Sequence, residues 1–328
     1  MAILAVVVHH YFPRFGSMGW CGVDLFFVLS GFLIGGILID SKGAPNYFRD
    51  FYLRRLFRIA PLYILMCIIA LPMHRLFEMS LMPWHAYAFT ANLWIAHHGW
   101  GQRQYLDVSW SLSSEEQFYL VLPLLIWITS RRNLPWILGV LAIISLVPSF
   151  GSYTLRCDGL MLGVLAALLM RSPARSYLVS HPRLLLASLA AATFFMAASF
   201  PRAAAVPGWE GSRFFSFTAV LLFFVVLLSV LCHRNTLLAR ACRARWLRWL
   251  GAISYCVYLI HIPVLHVANA LVPHGGAVVS TAALCVSLAL STISWRYFEA
   301  PLIRIGRALE DNRSRGFPAT QVPAPFFP

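Results

Sequence analysis

Charged residues are scarce in this sequence of 328 residues. Asp, Glu, Lys and Arg together make up 12% of the chain, and hydrophobic residues make up 59%. Soluble domains contain about 25% charged residues. This composition excludes an ordinary soluble enzyme, a disordered chain and a fibrous protein. It predicts a chain that lies mostly in lipid.

The sequence also lacks the common signatures of metal and nucleotide binding. Its seven cysteines are scattered, most lie inside apolar runs, and no pair has the spacing of metal ligands. There is no glycine-rich phosphate loop and no HExxH string. We therefore expect neither a disulfide framework nor a bound metal.

Acidic residues are outnumbered by basic ones. The chain has 12 Asp and Glu against 26 Lys and Arg, a formal net charge of +14. In a soluble protein this balance would point to nucleic acid. In a membrane chain it is typical of cytoplasmic loops, which carry an excess of Lys and Arg. We therefore expect membrane lipid, and not nucleic acid, as a partner.

Apolar runs that could cross a bilayer recur along the chain. A spanning helix needs about 20 mostly apolar residues. The first run, Met1 to Phe12, rises only about 18 Å, so we interpret it as a spanning helix truncated at its N-terminus. The sequence thus predicts an all-α integral membrane protein with about ten transmembrane helices in one bundle. The nine further runs are 20–39, 59–74, 112–130, 134–150, 156–171, 183–200, 214–232, 249–272 and 277–297.

The ambiguous segment Met79 to His98 is assigned from charge. If it does not cross the membrane, 20 of the 26 Lys and Arg lie on the cytoplasmic side, and if it crosses, only nine do. The positive-inside rule favours a re-entrant or interfacial segment on the outer side. Both termini are then cytoplasmic. We expect a transmembrane domain over residues 1–307 and a disordered cytoplasmic tail over 308–328.

Ionisable side chains within apolar runs are costly and are often functional. His10 lies near the outer end of the first run, and the acids Asp24, Glu115 and Glu116 begin later runs at the same predicted depth. His261 lies deeper, near mid-membrane. Two interpretations remain open for these residues, namely buried partners that fix helix packing and groups that carry chemistry. Gly31 and Gly35 form a small-xxx-small pair, for which we expect close helix packing.

Three arginines lie together in the string FYLRRLFRIAP, on the predicted cytoplasmic side of the third run. Arg54 and Arg58 are four residues apart and share a helical face, whereas Arg55 points elsewhere. Topology alone could explain the positive charge at this place. Two arginines on one face also form an anion clamp, so a phosphate-rich ligand or an anionic lipid is the sharper interpretation.

Six strings in order resemble the acyltransferase family 3 membrane proteins, which include O-antigen and other polysaccharide O-acetylases. The family has a ten-helix core, in agreement with the helix count above. The resemblance covers essentially the whole chain. The strings are GVDLFFVLSGFLI (22–34), FYLRRLFRIAP (51–61), WSLSSEEQFY (110–119), RCDGLMLG (156–163), GAISYCVYLIH (251–261) and YFEAPLIR (297–304).

The resemblance implies an O-acyltransferase of the bacterial cytoplasmic membrane. It would move an acyl group, usually acetyl, from cytoplasmic acyl-CoA to a hydroxyl of a sugar-containing or lipid-linked acceptor, without a metal. His10 fits the family's histidine better than His9, because Pro13 follows three residues later. The family's arginine eleven residues before this histidine would precede Met1. The alternative function is a proton-coupled transporter of a small anionic or sugar substrate.

Roles for individual residues follow from this resemblance. His10 would be the catalytic base, oriented by Asp24, Glu115 or Glu116. The phosphates of CoA would bind about 30 Å away, across the hydrocarbon core. The residues for this donor site are Arg54, Arg55 and Arg58. The secondary candidates are His261, Tyr258, Ser254, Arg156 and Asp158.

Overall fold

A computed structural model describes residues 1–15, 18–99, 105–145, 156–205 and 209–314. This described part is helical and contains fourteen α-helices. In chain order the helices are α1 (Ala2–Tyr11), α2 (Gly22–Ser41), α3 (Tyr47–Phe77), α4 (Ala91–His98), α5 (Ser109–Ile128), α6 (Leu134–Ile144), α7 (Asp158–Leu169), α8 (Ala174–Ser180), α9 (Pro182–Ala205), α10 (Trp209–Cys232), α11 (Leu237–Cys242), α12 (Arg245–Leu271), α13 (Gly276–Ser294) and α14 (Ala300–Ser314).

A helix lies in each of the ten apolar runs, and the prediction of an all-helical fold is confirmed. Six helical stretches in the described residues are long and apolar enough to span a membrane, so a count of about ten is not confirmed. The helices α1, α6 and α7 are apolar but have only 10, 11 and 12 residues. They rise about 15–18 Å, which is short of the hydrocarbon thickness. Residues 146–150 of the predicted fifth run lie outside the described residues.

Glycine allows the backbones of α2 and α7 to touch. A Cβ added at Gly31 would collide with the backbone of Leu160, and one at Gly163 would collide with the carbonyl of Val28. A Cβ at Gly35 would lie 2.9 Å from the Val164 side chain. Without a large hydrophobic gain between helices in lipid, such close backbone packing stabilises their association. The predicted packing role of Gly31 and Gly35 is confirmed.

The segment between α3 and α5 folds back against α5. It contains one 3₁₀ turn, Trp84–Tyr87, and the eight-residue helix α4, which rises only about 12 Å. The buried Asn92 on α4 donates to the side-chain oxygen of Gln117 at 3.0 Å. The helix α4 alone is too short to cross the membrane, and the re-entrant position of the segment stays a prediction.

A π-helical turn, Trp295–Glu299, joins α13 to α14. The buried Glu299 accepts a hydrogen bond from Ser294 Oγ at 2.9 Å. Beyond the turn, α14 packs against α3, with Gly306 close to the Phe57 side chain. The tail predicted from residue 308 is therefore helical as far as Ser314. Residues 315–328 lie outside the described residues.

Candidate active site

Two histidines from distant parts of the chain meet inside the bundle. His261 Nε2 on α12 lies 3.3 Å from His10 Nδ1 on α1, and the ring centroids are 5.0 Å apart. His10 Nδ1 also lies 2.9 Å from the carbonyl oxygen of Val6. His261 is fully buried, whereas His10 is half-buried. The prediction that His261 lies deeper than His10 is wrong, because the two rings are in contact.

Tyr11 fixes this histidine pair in place. Its hydroxyl lies 2.8 Å from the carbonyl oxygen of His261, to which it donates, and 2.9 Å from Ser287 Oγ on α13. Tyr11 is buried and directly follows His10. The end of α1 is thus held against α12 and α13, so the His10 ring has a defined position.

Tyr258 connects the histidine pair to α5. It lies one helical turn before His261, and its hydroxyl lies 2.6 Å from Ser111 Oγ on α5. The same hydroxyl donates to the carbonyl oxygen of Val108 at 2.9 Å. Ser111 lies one turn before Glu115 on α5. The site therefore continues from the histidines to the glutamates through Tyr258 and Ser111.

An arginine–glutamate cluster surrounds Glu115. The guanidinium of Arg55 lies over the ring of Tyr119, with 5.0 Å between Cζ and the ring centroid. Ser30 and Tyr119 hydrogen-bond with each other and both lie within hydrogen-bonding reach of Glu115. The members of this arginine–glutamate cluster are Arg55, Arg58, Glu115, Glu116, Tyr119 and Ser30, with Glu299 near Arg58.

The distribution of the three arginines differs from the prediction. Arg54 Nε donates to Glu310 on α14 at 2.7 Å, whereas Arg55 and Arg58 face Glu115. Residues three and four apart on a helix are both neighbours, so sequence spacing alone could not choose between the two pairs. All three arginines lie within α3, which begins at Tyr47, before the predicted third run. The residues that can form an anion clamp in the cluster are Arg55 and Arg58.

The histidine pair and the arginine–glutamate cluster are neighbours. One turn of α12 separates His261 from Tyr258, and one turn of α5 separates Ser111 from Glu115. A helical turn is about 5.4 Å. Contacting side chains therefore connect the two parts of the site, and the separation of about 30 Å between base and donor site stays a prediction. Arg58 lies eleven residues into α3, about 16 Å along the helix from its first residue.

Asp24 has a different partner from the one predicted. Its carboxylate forms an ion pair with Arg156, and Ser216 Oγ on α10 donates to the second carboxylate oxygen at 2.9 Å. Asp24, Arg156 and Ser216 are all buried. Buried charges are expensive unless they are paired and hydrogen-bonded. These buried contacts join α2 and α10 to Arg156, which lies two residues before the first residue of α7. That first residue, the buried Asp158, lies beside them.

The other predicted residues are only partly brought together. The hydrogen bonds that His10 makes with described residues go to Val6 and His261, and none goes to Asp24, Glu115 or Glu116. Ser254 Oγ donates to the carbonyl oxygen of Gly251 on its own helix at 2.8 Å, away from the site. Sequence reasoning missed Ser30, Ser111, Glu299 and Ser216, of which Glu299 carried a signal, since it is an acid in an apolar region.

Asp107 is a further acid near the histidine side of the site, in the turn that precedes α5. Burial raises the pKa of its carboxyl to about 6, and the backbone N–H of Val108 opposes this shift. Asp107 also interacts electrostatically with Tyr258. A carboxyl with this pKa can accept hydrogen bonds at neutral pH and adds negative charge beside Tyr258.

The comparisons with known proteins agree with this arrangement. The model of a family described as an acyltransferase domain matches residues 1–296. The peptidoglycan O-acetyltransferase OatA of Listeria monocytogenes is 24% identical over 93% of this chain and 55% of its own length. The O-acetyltransferase OatA of Staphylococcus aureus is 25% identical over 93% of this chain and 56% of its own length. The YrhL protein of Bacillus subtilis is 29% identical over 92% of this chain and 53% of its own length.

The chain spans a little over half the length of these curated relatives. No solved structure matches it significantly. The family match covers nine-tenths of the chain and includes both the histidine pair and the arginine–glutamate cluster. The transporter alternative receives no support from any of these similarities. The chain is therefore an integral membrane protein that belongs to the acyltransferase domain family.

Proposed function

We propose that this chain transfers an acetyl group from acetyl-CoA to a hydroxyl of a cell-wall glycan of the peptidoglycan type. The observation that carries the proposal is the His10 ring, which contacts His261 one helical turn from Tyr258, while Arg55 and Arg58 lie near Glu115 on the helix that Tyr258 contacts. The names of two relatives in Listeria and Staphylococcus support acetyl transfer, and the former supports peptidoglycan as the acceptor. The acceptor class therefore rests on these relatives, and the chemistry rests on the site.

In the proposed reaction His10 is the general base. Its Nε2 takes the proton of the acceptor hydroxyl while that oxygen attacks the thioester carbonyl carbon. The tetrahedral intermediate then collapses, the carbon–sulfur bond breaks, and the proton passes to the sulfur of the departing CoA. Arg55 and Arg58 would hold the donor phosphates, because a guanidinium binds phosphate through charge-assisted hydrogen bonds. Arg58 is exposed at the surface of the bundle.

The first test is acetyl transfer by the purified full chain in lipid nanodiscs. Radiolabelled acetyl-CoA and soluble peptidoglycan fragments are supplied, and the label is followed into base-labile ester. Loss of a general base costs about 100- to 10,000-fold in rate. We expect His10→Gln to lose activity by this factor while it keeps its expression level. The matched variant His9→Gln should stay active, because His9 lies about 100° around the helix.

Two results would contradict this proposal. Full activity in His10→Gln would remove the histidine from the chemistry. No label in the glycan and no release of CoA by the native chain would exclude both the donor and the reaction, since CoA release is measured independently of acceptor choice.

The second test concerns the donor. We expect Arg55→Gln with Arg58→Gln to weaken acetyl-CoA binding about ten- to a hundredfold, because charge-assisted hydrogen bonds contribute about 1.5–3 kcal/mol. Arg54→Gln is the matched control, since Arg54 is paired with Glu310. Binding is measured by calorimetry on the chain in nanodiscs. Equal affinity for the double variant and the control would refute the donor role of Arg55 and Arg58.

A further inference from the structure

We propose that His261 is a positioning residue that presents the basic nitrogen of His10 to the acceptor. This inference rests on the proposed acyl transfer, but its geometric content can be tested without activity. His261 is fully buried and contacts His10 from the side opposite to a substrate that approaches Nε2. It therefore acts through His10 and not on the reacting atoms.

Backbone carbonyl groups determine which nitrogens carry protons. A carbonyl oxygen can only accept, so His261 Nδ1, 2.7 Å from the carbonyl oxygen of Tyr258, must donate. His10 Nδ1 must likewise donate to the carbonyl oxygen of Val6 at 2.9 Å. In a neutral imidazole the second nitrogen then carries the lone pair. This assigns an accepting Nε2 to His261 and a basic Nε2 to His10.

The two assignments fit each other. His261 Nε2, an acceptor, lies 3.3 Å from His10 Nδ1, a donor, so the proton is shared between Val6 and His261. When His10 takes the proton of the substrate hydroxyl it becomes an imidazolium, and its Nδ1–H becomes a stronger hydrogen-bond donor. His261 then stabilises that charge by the bond it already makes. A catalytic carboxylate does the same for a histidine in a triad, but here the partner is neutral.

His261 cannot pass the proton onward. Its Nδ1 is engaged with the carbonyl oxygens of Tyr258 at 2.7 Å and Val257 at 3.2 Å, which have no proton to exchange. The backbone of His261 is itself held by the Tyr11 hydroxyl at 2.8 Å. The pair is thus a fixed support for one base and not a proton relay through the bundle.

The experiment compares two replacements of His261 in the full chain. In His261→Gln the amide oxygen can take the place of Nε2 as an acceptor, whereas His261→Leu fills similar space without one. We expect kcat to fall about ten- to a hundredfold in the leucine variant with the KM for acetyl-CoA unchanged. The glutamine variant should retain most of the native kcat. His181→Leu is the control, since His181 is exposed and its ring also contacts a backbone carbonyl.

Nitrogen-15 NMR of histidine-labelled protein provides the readout that is independent of activity. The signal missing in His10→Gln identifies His10. We expect its proton on Nδ1 in the native chain and in His261→Gln, and an upfield shift of that proton in His261→Leu, where one acceptor is lost. A proton on Nε2 of His10 in the native chain would overturn the proposal.

The order of activity of the two His261 variants distinguishes a positioning role of His261 from a role in helix packing. A purely structural role predicts that leucine is tolerated in this apolar bundle at least as well as glutamine, and that result would also overturn the proposal. If the native chain transfers no acetyl group, the proposed function fails, while the NMR measurement still decides whether His261 accepts from His10.

Discussion

At the residue scale, two aspartates of α2 show how burial changes the value of an ion pair. Asp24 pairs with Arg156 near one end of the helix, where both side chains are buried. Asp40 pairs with Arg171 near the other end at 2.5 Å, with 45% and 26% of their side-chain surfaces exposed. Removal of one partner from a buried pair leaves an uncompensated charge, whereas an exposed pair is screened by water.

We therefore predict unequal effects of the same substitution. Asp24→Asn should lower the free energy of unfolding by about 3–5 kcal/mol, because Arg156 loses its counter-charge. Asp40→Asn should lower it by no more than about 1 kcal/mol. Thermal unfolding in detergent checks both values, and acetyl transfer per folded molecule should persist in Asp24→Asn. A normally stable but inactive Asp24→Asn would instead restore the catalytic role that the sequence suggested for Asp24.

At the element scale, apolar runs predicted where helices lie but not which of their faces meet. The sequence predicts the ten helical segments and the close helix packing at Gly31 and Gly35, since both depend on local composition. The partner of His10 could not be read in this way, because 251 residues separate it from His261 and the contact depends on how α1 and α12 pack. The sequence singles out His261 as well as the carboxylates, but it favours a carboxylate as the partner of His10, because a carboxylate can stabilise an imidazolium.

At the scale of the whole molecule, basic residues from several helices gather at one end of the bundle. Lys42 Nζ donates to the carbonyl oxygens of Ile126 and Thr129 at 2.7 Å, and thereby caps the end of α5. Arg171 at the end of α7 reaches Asp40 at the end of α2. Lys42 and Arg171, which the positive-inside rule places on one side of the membrane, thus lie at one end of the bundle. Which compartment that side faces is a separate prediction.

The predicted orientation can be measured with single cysteines in a chain whose seven native cysteines have been replaced. We expect the segment from Ser41 to Ala60 inside and the segment from Gly99 to Ser109 outside, because positive charge is retained in the cytoplasm. Ala44→Cys lies in the first segment and His97→Cys lies two residues before the second, and both positions are exposed. An impermeant thiol reagent should label His97→Cys in intact cells and Ala44→Cys only after permeabilisation. The reverse pattern would invert the bundle.

The π-helical turn at Trp295–Glu299 makes the number of residues in this region as important as their identity. A π turn holds one residue more than the α-helical path it replaces. Deletion of a single residue within the turn would therefore restore a regular α-helix and keep the residues beyond it in phase. Deletion of a residue elsewhere in α13 would instead rotate everything beyond it by about 100°, so that Gly306 would leave Phe57 and Glu310 would leave Arg54. The segment from α13 to α14 should therefore tolerate the loss of one residue only within the π turn, because helical phase, and not composition, joins the end of the chain to α3.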